Sequence, residues 1–139
     1  MDDPAAADLV ELTRASMEAT NRLDFGAAVE VFASDAVFDV SAAGVGRFEG
    51  RDAVRAYLED WIGSYAEQRF SDWQGEDLGA GVVFVITELD ARMRGSDATV
   101  RERWAFVVVW REGSIVSVRA QPATDQARRE AVALARAAP

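Results

Sequence analysis

Three long apolar or alternating runs occupy residues 82–94, 98–110 and 114–121, and the connectors between them are Gly95-Ser96-Asp97 and Glu112-Gly113. Connectors this short leave room only for chain reversal, so neighbouring runs must pair antiparallel. A fourth run, residues 69–78, joins the same meander through Gly79-Ala80-Gly81. The chain is therefore bound to build an antiparallel sheet, and its remaining segments must supply whatever covers that sheet.

Those segments read as helices. Asp3 followed by Pro4 predicts a helix start, with a side-chain oxygen for the free amides and proline at the first helical position. Leu9, Leu12, Ser16, Ala19 and Leu23 then recur every three or four residues, which carries the helix to about Asn21. Asp24 predicts the cap of a second short helix with Phe25, Ala28, Val29 and Phe32 inward. Short strands follow at 36–40 and 45–49, separated by a loop of Ser, Ala and Gly over 41–46. Residues 51–68 return to helical spacing, with Val54, Tyr57, Leu58, Trp61, Ile62 and Tyr65 on one stripe. The tail, 124–137, reads as an amphipathic helix with Ala127, Ala131 and Leu134 inward. With 139 residues, half of them hydrophobic, the chain is expected to form one domain over 1–139, of the α+β class, with helices packed on one face of a curved sheet.

Composition narrows the chemistry. The sequence has no histidine and no cysteine, which excludes disulfides, thiol nucleophiles, His-based zinc sites and a Ser-His-Asp triad. All fifteen cations are arginine, so lysine Schiff-base chemistry is excluded as well. Proton transfer is left to carboxylates, tyrosine or water. A net charge of -9 disfavours nucleic acid. The absence of an apolar stretch of spanning length, and two acids and a proline near Met1, predict no membrane segment or signal peptide and a cytoplasmic protein. No cluster shows metal-ligand spacing, and no metal or cofactor is expected.

The segments Phe32-Ala33-Ser34-Asp35-Ala36-Val37-Phe38, Phe48-Glu49-Gly50-Arg51-Asp52-Ala53-Val54 and Arg111-Glu112-Gly113-Ser114-Ile115-Val116, in this order of elements, resemble the nuclear-transport-factor-2-like superfamily, and its SnoaL-like branch in particular. The resemblance implies a cone-shaped fold, a curved antiparallel sheet wrapped around the N-terminal helices with a C-terminal helix. It does not imply a reaction, because the superfamily holds polyketide cyclases, ketosteroid isomerase, limonene epoxide hydrolase and non-catalytic binders. Laid on ketosteroid isomerase, the general base falls at Val40, the oxyanion tyrosine at Ser16 and the oxyanion aspartic acid near Ala105. Laid on limonene epoxide hydrolase, only Asp90 matches; Glu88, Ala120, Phe38 and Val40 occupy its other active positions.

A two-residue turn at Ser96-Asp97 would set Asp90 opposite Arg103, Arg92 opposite Arg101 and Glu88 opposite Ala105 on one side of the hairpin. Val85, Thr87 and Leu89 would share the other side with Val108, Phe106 and Trp104. The first side runs from apolar at one end to charged at the other, as the wall of a cone with a polar mouth would. In the resembled family the carboxylate aligned with Asp90 points inward, so this side is expected to line the cone. Glu88, expected among apolar neighbours, becomes the acid-base candidate with a raised pKa, Asp90 its ionised companion and Arg103 the anion anchor. A plain cross-strand salt-bridge ladder is the competing reading. Phe38, Val40, Tyr57, Trp61, Trp73 and Arg101 are expected around a bound ligand, although an aromatic stripe at helical spacing equally suits ordinary core.

Two functions follow. One is a cofactor-independent SnoaL-like enzyme (cyclase, isomerase, dehydratase or hydrolase) acting on a small apolar, polyketide-like molecule through carboxylates. The other is a non-catalytic ligand-binding or dimerisation module of the same fold. A cavity of a few hundred Å³ reaching Glu88 would favour the first, and a mouth plugged by aromatic rings the second. The apolar row Trp104, Phe106, Val108 and Trp110, read as lying on the convex face, predicts a homodimer.

Overall fold

The protein is described by a computed structural model over residues 4–137. Helix α1 (Pro4–Asn21) leads into the short α2 (Phe25–Val29), and strand β1 (Phe32–Asp39) follows. After a single 3-10 turn come β2 (Arg47–Glu49) and helix α3 (Arg51–Gly63). Four longer strands, β3 (Tyr65–Gly79), β4 (Val82–Met93), β5 (Thr99–Arg111) and β6 (Ser114–Pro122), precede the last helix α4 (Asp125–Ala137). The sheet is six-stranded, curved and unclosed, in the order β2-β1-β6-β5-β4-β3. It is antiparallel except between β1 and β6, which run parallel.

Asp24 caps α2 as expected, accepting a hydrogen bond from the Ala27 N–H at 3.1 Å. The expected Asp3 cap lies outside the described residues. Phe32 opens β1 instead of closing the helical stripe, and α3 stops at Gly63, five residues short of the predicted end, because Tyr65 already belongs to β3. Leu134, expected inward on α4, is 46% exposed.

The hairpin register is shifted by two residues from the expected one: Arg92 pairs with Thr99, Asp90 with Arg101 and Glu88 with Arg103. Residues 94–98 form a longer turn, held by the Met93 N–H donating to the Ala98 carbonyl and the Ala98 N–H donating to Ser96 Oγ. A shift of two preserves strand alternation, so the membership of the two faces stands. Their orientation is the reverse of the expectation. Val83, Val85, Leu89, Trp104, Phe106, Val108 and Trp110 form the main core with α1, α2 and α3, inside the cone. The aromatic row expected at a dimer interface is therefore covered within one chain, and Phe106 and Trp110 are only 4% and 3% exposed.

The opposite, outer face is covered in part by α4. Ala127 and Ala131 pack on Val82, Phe84, Ala105, Val107 and Val109. Arg128 donates to both oxygens of Glu76 on β3 at 2.7 and 3.0 Å, and Arg119 on β6 lies 3.4 Å from Glu130, fastening the helix at two strands. The apolar-to-charged gradient along this face marks where α4 ends.

Candidate functional site

Glu88, Asp90, Arg101 and Arg103 all lie on the outer face, beyond the cover of α4. Arg101 Nε donates to Asp90 Oδ1 at 2.9 Å and sits 3.3 Å from Glu88 Oε1. The Ser71 hydroxyl donates to Asp90 Oδ2 at 3.1 Å. The hydrogen bond from Arg101 is the main cause holding the Asp90 carboxyl below its ordinary range, assisted by Ser71. Glu88 is thus an ion-paired carboxylate and does not stand isolated among apolar side chains. Arg103 is exposed and forms no salt bridge with a described residue. The inward placement expected of this group is corrected: the side chains form an open salt-bridge cluster on the outside of the cone.

Inside the cone, the walls enclose a cavity of about 50 Å³. Its floor is α1, which contributes Thr13, Ser16, Met17 and Thr20 at helical spacing. Helix α3 adds Leu58 and Trp61, β1 adds Phe32 and Phe38, and the sheet closes it with Phe70, Phe106, Val108, Ile115 and Val118. No lining side chain is ionisable. Of the residues expected around a ligand, Phe38 and Trp61 do line this space. Val40 is fully buried in the core, Tyr57 sits one ring behind the wall, and Trp73 and Arg101 lie elsewhere.

The walls are held by specific contacts. The Asn21 side chain binds the backbone of Phe70 in both directions, its Nδ2 donating to the carbonyl at 3.0 Å and its Oδ1 accepting from the N–H at 2.8 Å. This pins the end of α1 to the edge strand β3. Arg51 donates twice to the Phe32 carbonyl and ties α3 to β1. Thr13 Oγ1 donates to the Leu9 carbonyl at 2.7 Å and accepts from Trp110 Nε1 at 3.0 Å.

An aromatic series runs outward from the Trp61 wall. Tyr57 stacks on Phe48 with ring centres 4.2 Å apart and on Trp61 at 5.8 Å, and Trp61 in turn meets Trp104 at 5.2 Å and Phe70 at 5.8 Å. Burial, and secondarily Tyr65, pushes the Tyr57 hydroxyl up to about 12, so it stays neutral. Trp104 Nε1 and Gln68 Oε1 are buried without a hydrogen-bond partner. On β3 one extra residue at Asp72-Trp73, opposite Thr87, forms a bulge with Asp72 at φ 49. Trp73 is turned over Gly75, where a Cβ would meet its ring at 2.4 Å, and Arg14 of α1 lies 5.2 Å from the ring centre.

Sequence reasoning placed Ser16 on the stripe of the first helix but missed Thr13 and Thr20 as wall, and it did not single out Glu102. Glu102 shares the inner side of β5 with Trp104 and Phe106 and pairs with the fully buried Leu89. It is the one carboxylate on the inner rows of the β4–β5 hairpin, exposed at the rim. The signal for it was its alternation with Trp104; the signal for Thr13, Ser16 and Thr20 was their spacing on the stripe of the first helix. Among the described residues no three Asp or Glu side chains gather as metal ligands, and no helix is long and apolar enough to cross a membrane.

This architecture is the nuclear-transport-factor-2-like, ketosteroid-isomerase-like cone. The chain belongs to the SnoaL-like domain family, whose model matches residues 13–118. No curated protein sequence matches it. Among solved structures, it is similar to a proposed polyketide cyclase from Xanthomonas campestris pv. campestris, at 22% identity and TM-score 0.74 over 94% of this chain and 96% of the other. A proposed isomerase from Bacillus subtilis matches at 20% identity and TM-score 0.72 over 96% of both chains. A proposed SnoaL-like polyketide cyclase from Shewanella denitrificans matches at 13% identity and TM-score 0.71 over 95% of this chain and 99% of that one. Likeness at these identities establishes the fold alone.

Proposed function

We propose that the protein acts on a small, neutral, apolar ring molecule of the polyketide-like kind, held inside the cone between α1, α3 and the sheet. The observation that carries this reading is the uncharged cavity of a SnoaL-like chain, walled almost wholly by hydrocarbon. Such a wall favours apolar rings and rejects carboxylates and phosphates, whose desolvation nothing there offsets. A cavity of about 50 Å³ is below the size of a single benzene ring's site. Entry therefore requires the partly exposed Trp61 and Met17 to give way. For proton transfer the reading assigns Glu102 at the rim, because the Glu88 and Asp90 pair faces away from the cavity.

A second reading, a non-catalytic binder of the same molecule, draws on the absence of any ionisable side chain from the cavity wall. Titration of p-cresol, followed by the NMR shift of the Trp61 indole, tests what the two readings share. Val108→Phe fills the cavity and is expected to weaken binding at least about tenfold, whereas Glu88→Gln leaves it unchanged. Loss of binding in Glu88→Gln with binding intact in Val108→Phe would place the site on the outer face and not in the cone. Turnover of a polyketide-like substrate that Glu102→Gln abolishes separates enzyme from binder.

A further inference from the structure

The hydrogen-bonding capacity of the cavity wall is one-sided. Apart from Trp61, which is partly exposed, the lining residues that carry a polar side-chain group are Thr13, Ser16 and Thr20. A hydroxyl has one proton to donate and two lone pairs to accept with. All three protons are already engaged with backbone carbonyls: Thr13 with Leu9 at 2.7 Å, Ser16 with Ala28 at 2.6 Å and Thr20 with Ser16 at 3.2 Å. One lone pair of Thr13 is taken by Trp110. Lone pairs are what remains.

The Ser16 proton is the least free to turn away. Its acceptor, the Ala28 carbonyl, stands at the C-terminal end of α2, where the helix supplies no further N–H, and Ala28 is 1% exposed. Turning the hydroxyl toward a ligand would leave that buried carbonyl without a partner. The Thr20 hydroxyl shares the Ser16 carbonyl with the helix's own hydrogen bonding, so Thr20 can be altered without uncovering it. The unpaired Trp104 Nε1 does not reverse this polarity, because Trp104 stands behind Trp61 and Phe106 and is not on the wall.

We infer that the occupant of the cone carries a hydroxyl, as a phenol or an enol, on an otherwise apolar ring, and that this hydroxyl donates its one proton to Thr20 Oγ1, beside Ser16 whose own proton is held by the Ala28 carbonyl. The inference rests on the cone being the binding site. An ether or ketone of the same shape would set its lone pairs against those of Ser16 and Thr20 and gain nothing from them. Ser16 and Thr20, one turn apart on α1, are thus the residues that select for the donor.

The test compares p-cresol, 4-methylanisole and toluene by NMR titration of the wild-type chain, Thr20→Val and Thr20→Ser. Thr20→Val is expected to lower the p-cresol to 4-methylanisole affinity ratio about fivefold, the equivalent of one hydrogen bond, and Thr20→Ser to retain the wild-type ratio. The same ratio in wild type and Thr20→Val would overturn the hydroxyl assignment while leaving the cone as the site. Failure of all three probes to bind the wild type would instead strike the cone reading itself.

Discussion

The two faces of the β4–β5 hairpin are built from adjacent residues and have opposite fates. Val85, Leu89 and Phe106 point into the cone and are 0%, 0% and 4% exposed. Their outer neighbours Glu88, Asp90 and Arg101 have side chains 19%, 37% and 76% exposed and engage one another in an open salt-bridge cluster. The inner face is apolar along most of its length because α1, α2 and α3 pack against it. The outer face grades from Phe84 and Val107 to Arg92 and Arg101 because α4 covers only one end. A uniform apolar row therefore reports full cover, and a gradient reports partial cover.

The largest effect that would break this contrast comes from charging the inner row. Trp104→Glu buries a carboxylate among Trp61 and Phe106, and it is expected to remove about 3–5 kcal/mol of stability in urea unfolding. A folded Trp104→Glu chain of altered oligomeric state would mean that the row faces outward after all. Gly75→Ala is next: its Cβ would press on the Trp73 ring at 2.4 Å and Val10 at 2.9 Å, for an expected loss of about 1–3 kcal/mol by the same measurement.

The smallest effect belongs to the outer face. Asp90→Asn removes the partner of an exposed Arg101 and is expected to lower stability by less than about 1 kcal/mol at neutral pH. Because the folded carboxyl titrates below its ordinary 3.8, its contribution is present above that value and is lost as pH falls through the folded pKa. Wild type and variant should therefore converge in acid, as thermal melts across that range would record. A gap that widens as pH falls would contradict the assigned pairing.

Much of this was legible in the sequence. Turn residues and alternation placed the four long strands, and the three- and four-residue spacing placed α1 and α4. The end of α3 was lost because Tyr65 continues the helical stripe by coincidence while serving β3. The hairpin register slipped because the turn uses residues 94–98, a closure that no dipeptide announces. Face membership survived the slip, since a shift of two keeps Glu88, Asp90 and Arg101 together. Which face looks inward was not legible, because alternation separates two faces without naming the layer that covers each. The cavity was illegible for a related reason: its wall draws on α1, α3 and four strands, and only the assembled fold brings Ser16, Trp61 and Val108 together.

Methyl NMR of the wild-type chain titrated with toluene distinguishes a site inside the cone from one on its outer face. Val108 lines the cavity, while its neighbours Val107 and Val109 point to the outer face. Binding inside the cone shifts the methyl groups of Val108 and Ile115 and leaves Val107 and Val109 unmoved. Shifts confined to Val107 and Val109, with Val108 silent, would contradict it.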